Sequence, residues 1–147
     1  MKRRRPDMAK LGPPSGTACE IAVLAALRRF RPRPNDRSVP GSPDAHLPRR
    51  RIAVFADGRF WHDPEYAGAR TRRHHAVNWR RKAERNRERD ARVDRELAAR
   101  GYLVVRIWDT CLRGAGRHAV LAELVRLCLR HRPLPPGSGV RVRIEAP

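Results

Sequence analysis

The stretch Val54-Phe55-Ala56-Asp57-Gly58-Arg59-Phe60-Trp61-His62 has an apolar start and a polar, aromatic end. With Ile52 and Ala53, its first residues form an apolar run of the length of a buried strand. Gly58 then predicts a tight turn. A carboxylate, two adjacent aromatic rings and an imidazole follow one another between Asp57 and His62. We therefore expect a functional site where this strand ends.

A second acid lies upstream of this strand. The segment Val39-Pro40-Gly41-Ser42-Pro43-Asp44 ends an irregular, proline-rich loop, and residues 44–47 are predicted to form a short strand. The turn at residues 48–51 is short enough for an antiparallel hairpin between the two strands. That pairing brings Asp44 towards Asp57, although the sequence leaves the register open.

Helices are predicted on both sides of the hairpin. Thr17 followed by Glu20 is a capping box, which predicts a helix that ends near Phe30. A long helix is predicted from about His74 to Arg100. Residues at three- and four-residue steps form one stripe of this helix, and we expect its aromatic and polar first half to face a site and its second half to face the core. The stripe consists of Trp79, Lys82, Asn86, Asp90, Val93 and Leu97.

Two further elements complete the predicted domain. Residues 102–108 form a buried strand, and the helical crossover before it makes it parallel to the first apolar strand. Residues 116–131 form a last helix, and residues 63–73 are predicted to be a polar loop. Residues 140–144 alternate strictly and fit either an edge strand or a basic tail. The order helix, hairpin, long helix, strand, helix predicts an α/β fold with a small mixed sheet flanked by helices.

The chain of 147 residues is long enough for one core. We predict a flexible basic arm at residues 1–16, a folded domain at residues 17–132 and a Pro-rich C-terminal tail at residues 133–147. No apolar run approaches membrane-spanning length. The basic N-terminus lacks the apolar segment of a signal peptide, so we expect a cytoplasmic protein associated with the nucleoid.

The charge is strongly positive, with 34 basic against 15 acidic residues and a formal net charge of +19. Such a surface binds polyanions in a salt-dependent manner. Arginine supplies nearly all of the basic residues, so the composition of a GC-rich genome is an alternative explanation. The three cysteines, at positions 19, 111 and 128, have no metal-ligand spacing, and Cys19 and Cys128 fit a core.

Taken together, these segments resemble the very-short-patch repair (Vsr-type) T:G mismatch endonucleases of the PD-(D/E)xK restriction-endonuclease-like superfamily. The resemblance covers about Thr17 to Gly114. It depends on several separated segments in the right order, which are Pro40 to Asp44, Val54 to His62, Trp79 with Lys82, Asn86, Arg89 and Asp90, Gly101-Tyr102, and Ile107 to Gly114. It implies a restriction-endonuclease-like fold and a metal-dependent endonuclease that nicks duplex DNA.

The resemblance also implies roles for single residues. Asp44 and the backbone of Ala56 would bind the metal ion, and Asp57 would lie beside the scissile phosphate. His62 would assist catalysis, and Glu20 would lie near the metal. The residues predicted to contact DNA are Arg59, Phe60, Trp61, Trp79, Lys82 and Asn86.

The chemistry of these residue types supports the same prediction. Asp44 and Asp57 together can anchor Mg²⁺, which prefers oxygen ligands and lowers the pKa of a bound water. His62 can deprotonate or orient that water. Arg59 follows Asp57 in a D-x-R arrangement, and its permanent charge suits it to stabilise the phosphorane but not to act as a base.

The family carries a structural zinc, and this chain departs from that pattern. Arg59 and Thr110 stand where the resemblance implies cysteine ligands, and residues 63–73 contain neither His nor Cys. We therefore predict that zinc is absent and that this loop is held in another way.

Each candidate residue also has a purely structural explanation. Asp44 fits a turn, Glu20 fits a helix cap, and His62 fits an ordinary surface histidine. Neighbouring residues of a strand point to opposite faces, so Phe60 and Trp61 are expected to be one DNA wedge and one core residue.

Three functions follow from these observations. The first is a nicking endonuclease that acts on duplex DNA beside T:G mismatches, as a monomer that mismatch-repair proteins recruit. The second is a catalytically degenerate DNA-binding protein of the same fold. The third is a restriction-type nuclease with a different target.

Overall fold

The computed structural model describes residues 17–71 and 73–146, so the predicted arm at residues 1–16 lies outside the described part. In chain order the elements are α1 (Thr17–Leu27), β1 (Ala45–Leu47), β2 (Ile52–Asp57), α2 (Arg59–His62), α3 (Pro64–Ala69), α4 (Arg73–Ala99), β3 (Leu103–Trp108), α5 (Asp109–Arg113), α6 (Arg117–Arg130) and β4 (Val140–Ile144). Short 3-10 turns at Arg28–Phe30 and Pro48–Arg50 follow α1 and β1.

The four strands form one mixed sheet in the order β1-β2-β3-β4. Strands β1 and β2 are antiparallel, with Ala45 opposite Val54, whereas β2 and β3 are parallel, with Asp57 opposite Trp108. The predicted hairpin, the parallel crossover and the α/β class are therefore confirmed. Strand β4 lies parallel to β3 at the sheet edge, so residues 140–144 adopt the edge-strand alternative and not that of a tail.

Each face of the sheet covers its own core. The larger core packs β2 and β3 against α1 and α6, through residues such as Val54, Ile107 and Leu124, and it includes the buried Cys19 and Cys128 as predicted. The smaller core joins Ala53, Phe55 and Val104 to Leu97 of α4. Because side chains alternate along a strand, Asp57 and Arg106 share the α4 face with Phe55.

Helix α3 corrects the prediction of a polar loop at residues 63–73. Asp63 caps this helix, because its carboxylate accepts a hydrogen bond from the Tyr66 amide at 3.2 Å, and Pro64 occupies the first helical position. An Asp-Pro pair at a helix start is a recognised signal that the polar composition concealed. No helix in the described part of the chain is both long and apolar enough to cross a membrane.

Candidate active site

Asp44 lies immediately before β1 and points its carboxylate at the neighbouring strand. Its Oδ2 accepts a hydrogen bond from the amide of Ala56 at 2.6 Å. Burial, with the nearby carboxylates of Glu20 and Asp57, raises the pKa of Asp44 from 3.8 to about 6, against the opposing effects of the Ala56 amide and of Arg106. The structure thus brings the three predicted acids into one group, in which the charge of Arg106 offsets only part of what disfavours ionised Asp44.

Asp57 ends β2 and is buried, with an exposed fraction of 6%. Both of its carboxylate oxygens accept hydrogen bonds from one Arg106 nitrogen, at 2.9 and 3.1 Å, and Arg143 lies 3.4 Å away. Burial raises the pKa of Asp57, and the charge of Arg106 opposes that rise. Two arginines from β3 and β4 therefore hold this carboxylate in one orientation.

Arg106 is the functional residue that the sequence reasoning missed. It is 1% exposed, donates to Asp94 at 2.7 Å and lies 3.7 Å from the Asp90 carboxylate, in addition to its bonds with Asp57. A buried cation requires partners of opposite charge, because an unpaired charge in the protein interior is very costly. The available signal was an arginine at the centre of the otherwise apolar strand Leu103–Trp108.

His62 pairs with the long helix. Its Nδ1 lies 2.5 Å from Oδ2 of Asp90. Burial alone would raise the pKa of Asp90, but the bond to His62 and the charge of Arg106 bring it below its ordinary value. A histidine that donates from Nδ1 to a carboxylate has Nε2 available to accept a proton, which is the arrangement of a general base.

Asn86 anchors this part of the site. Its side-chain amide donates to the Trp61 carbonyl at 2.7 Å, which fastens α2 to α4. The stripe predicted on the long helix therefore faces the site in its first half, through Trp79 and Asp90, and the core in its second half, through Leu97. A cavity of about 380 Å³ opens beside His62 and Asp90.

The described residues contain a possible metal site composed of Asp57, His62 and Asp90, whose ligand atoms lie within 4.8 Å of one another. All three already have charged partners in the protein, through Arg106 and through the His62–Asp90 pair. Asp44 differs from these three residues. It forms no ion pair with any residue in 17–71 or 73–146, and its hydrogen bond comes from the backbone amide of Ala56. The oxygen donors of Asp44, Asp57 and Glu20 match the preference of Mg²⁺.

The predicted aromatic residues form one cluster on α2 and α4. The ring centroids of Phe60, Trp61 and Trp79 are 5.1 to 5.2 Å apart, and the Lys82 ammonium lies 4.8 Å from the Trp61 ring. Trp61 is 41% exposed, and Phe60 is only partly buried. The expectation that one of these two is a core residue is wrong, because the chain turns into helix α2 after Gly58 and no longer alternates as a strand.

Arg59 ties α2 to α3 and to the end of β3. Its Nε lies 3.0 Å from Asp63, its guanidinium carbon is 4.8 Å from the Tyr66 ring centroid and 5.9 Å from that of Trp108, and its backbone amide donates to Asp109 at 2.9 Å. At a position where the resemblance implies a zinc-binding cysteine, an arginine thus connects the neighbouring elements. Its contact with DNA stays a prediction.

Comparison with known proteins identifies relatives of this chain by sequence. The family model of the DNA mismatch endonuclease Vsr matches residues 2–68. The chain is 37% identical over 113 residues to the type II nicking enzyme V.HpaIIP of Haemophilus parainfluenzae, which covers 73% of this chain and 78% of that relative. It is 33% identical over 115 residues to V.NmeDIP of Neisseria meningitidis serogroup C, with 71% and 78% covered. The DNA mismatch endonuclease Vsr of Escherichia coli K12 is 33% identical over 82 residues, or 56% and 53% of the two chains.

The mixed sheet, the acidic and histidine site and these relatives together define a DNA-nicking endonuclease with a restriction-endonuclease-like fold. More particularly, the chain belongs to the DNA mismatch endonuclease Vsr family. The family and the enzymatic activity predicted from the sequence are thereby confirmed.

Proposed function

We propose that this enzyme nicks one strand of duplex DNA beside a T:G mismatch by Mg²⁺-dependent hydrolysis. The observation that supports this most directly is the placement of the partly buried acid Asp44 and the His62–Asp90 pair around the end of one strand, with a partly exposed aromatic cluster on the adjoining helices. Hydrolysis of a phosphodiester needs charge neutralisation, proton removal and access to the backbone, and these groups supply each of them.

Asp44 and Asp57, with the backbone of Ala56, would hold the ion, and Glu20 would add negative charge nearby. When bound, Mg²⁺ neutralises charge on the phosphate and acidifies water. Ionised Asp44 gains most from such an ion, because burial and the neighbouring acids disfavour its charge in the free protein. Arg106 keeps Asp57 in place.

His62 would receive the proton of the attacking water on Nε2. Asp90 accepts the Nδ1–H hydrogen bond, which fixes the orientation of the ring and stabilises the imidazolium once it forms. Arg106 supports this pair as well, since its guanidinium lies 3.7 Å from the Asp90 carboxylate. One buried cation therefore connects the carboxylates of Asp57 and Asp90.

The aromatic cluster would recognise distorted DNA. Trp61 is exposed enough to enter a base step, and the rings of Phe60 and Trp79 pack edge-on against it at centroid distances of 5.1 and 5.2 Å. Unstacking a base step costs a few kcal/mol, and the cost is lowest at a mismatch. Lys82, which lies above the Trp61 ring, would contact a phosphate of the opened step.

The test is a nicking assay on matched and T:G duplexes, with Mg²⁺ and with EDTA. We expect nicking of the mismatched duplex only when Mg²⁺ is present, and its loss in Asp44→Asn. The matched control is Glu123→Gln, which removes the charge of a partly exposed acid that pairs with Arg126 on α6. Equal nicking of matched duplexes would contradict the mismatch preference, and full activity in EDTA would contradict the metal.

We also propose that the enzyme works as a monomer on nucleoid DNA in the cytoplasm and is recruited by mismatch-repair proteins. The predicted basic surface and the resemblance support this proposal. The mass of the protein–DNA complex, measured by sedimentation, should correspond to one protein per nicking site. A mass that corresponds to two proteins per site would contradict the monomer.

A further inference from the structure

Strand β4 carries an arginine that is only partly satisfied by its protein partners. Arg143 stands opposite Arg106 in the parallel register of β3 and β4. Its Nη2 lies 3.4 Å from the Asp57 carboxylate, and its guanidinium carbon is 3.8 Å from the Trp108 ring centroid. Its Nη1 is buried and has no hydrogen-bond partner among the described residues. A buried donor without an acceptor costs free energy, so this nitrogen requires an explanation.

The surroundings of Arg143 show which ligand fits. Arg143 lines the 380 Å³ cavity that also contains His62. The two acids of the cavity wall are already paired, Asp63 with Arg59 and Asp90 with His62. The other lining residues are Pro64, Arg87, Ala91, Trp108 and Arg141. Positive groups therefore outnumber free acids in this cavity, which suits an anion and not a second cation.

Neighbouring cations make an anion beside Arg143 still more favourable. Arg143 stands opposite Arg106 on β3 and two positions from Arg141 on β4, so three arginines lie close together. Arg141 pairs with Asp94 at 3.0 Å and is half exposed, so its own charge is compensated. An oxyanion at Nη1 of Arg143 would supply the missing acceptor and relieve the repulsion between the adjacent guanidinium groups.

We propose that Arg143 binds a phosphate of the DNA strand that is nicked, in the cavity beside His62, and that β4 is thereby part of the substrate-binding site. This inference depends on the nicking reaction proposed above. A guanidinium matches the tetrahedral oxygens of a phosphodiester, and Arg143 both contacts the Trp108 ring and lines the cavity. The contact would hold the strand in register with His62.

The experiment measures binding of inorganic phosphate by calorimetry in EDTA, and separately the nicking of a T:G duplex in Mg²⁺. Arg143→Gln should weaken phosphate binding and lower kcat/KM by about 10- to 100-fold, because a hydrogen bond to a charged group is lost. Arg143→Lys should restore part of both, since it keeps the charge but not the forked geometry. Arg126→Gln is the matched control, with the same change of charge on helix α6 outside the cavity, and it should alter both by less than about 3-fold.

Two outcomes would overturn the inference. One is unchanged phosphate binding in an Arg143→Gln protein that melts like the wild type. The other is an equal loss in Arg126→Gln, which would show that net charge and not Arg143 attracts the anion. If Arg143→Gln does not fold, the phosphate affinity of Arg143→Lys is measured instead. It should be lower than that of the wild type, and an unchanged affinity would overturn the inference. Because the calorimetry uses neither DNA nor metal, a wild-type protein that binds phosphate but does not nick would contradict the proposed function alone.

Discussion

Asp44 and Asp57 lie at the same end of one hairpin and burial raises the pKa of both, yet their carboxylates have different partners. Arg106 and Arg143 surround the carboxylate of Asp57. The carboxylate of Asp44 accepts one backbone hydrogen bond, and its pKa is raised to about 6 by burial and by the acids beside it. An added cation therefore gains more at Asp44, whereas Asp57 is already held in position by the protein itself.

The protein itself orients Asp57, and it does so through Arg106. Arg106 joins Asp57, Asp90 and Asp94 and so connects β2, β3 and α4. Such a buried cation is costly unless it is fully paired, and removal of one partner leaves a charge without compensation. We infer that both acids bind the ion, that Asp57 is oriented for it by Arg106, and that Asp44 depends more on the ion itself for compensation of its charge.

The largest effect is expected from Asp44→Asn. Nicking should fall by at least about 1,000-fold, because the ion loses its principal carboxylate. The metal-free protein should nevertheless become more stable at pH 8, since the repelled charge is gone while the amide oxygen still accepts the bond from Ala56. Asp57→Asn is the comparison and should lose stability, because Arg106 keeps its charge. Nicking rates and urea denaturation measure the two effects, and a destabilised Asp44→Asn protein would contradict the contrast.

Arg106→Met tests the Asp57 region directly. We expect a loss of about 3–5 kcal/mol in the free energy of unfolding, because three acids lose their buried cation. The control is Arg141→Gln, whose partly exposed ion pair with Asp94 should contribute about 1 kcal/mol or less. Urea denaturation measures both variants. A loss for Arg106→Met as small as that of the control would show that the acids do not depend on Arg106.

The pH dependence of stability should reveal Asp44. Its pKa is raised from 3.8 to about 6 in the folded protein, so the folded state binds more protons than the unfolded state between these two values. The free energy of unfolding of the metal-free wild type, relative to Asp44→Asn, should therefore fall as the pH rises from about 4 to 6, by up to about 3 kcal/mol. Urea denaturation across this range measures the difference in unfolding free energy. A difference that does not change with pH would contradict the raised pKa of Asp44.

Asp90→Asn is expected to have the smallest effect of these variants on nicking. It also tests whether the ion is held at Asp44 or in the group Asp57, His62 and Asp90. The rate of nicking should fall by about 10- to 100-fold, because His62 loses the partner that fixes its ring. The Mg²⁺ concentration for half-maximal rate should change by less than about 3-fold if the ion is held at Asp44. A much larger Mg²⁺ requirement would instead place the ion in the group Asp57, His62 and Asp90. Glu123→Gln serves again as the control.

Much of the fold was predictable because its signals are local. The apolar run of β2, the stripe of α4 and the short hairpin turn each depend on neighbouring residues, and each appears in the structure. The candidate site was predictable where its residues follow the end of a strand, as Asp57 and His62 do. Helix α3 was missed because its polar composition outweighed its capping signal.

By itself, the sequence determined the α/β order, the two acids, the histidine and the aromatic cluster, because spacing along the chain carries those signals. Only the tertiary structure decided which charges meet. Arg106 and Arg143 reach Asp57 through strand pairings that join residues 49 and 86 positions apart. The burial of His46 between Asp36 and Tyr102 likewise depends on distant segments. An ion pair requires proximity in space, and no local pattern specifies which distant strand will provide it.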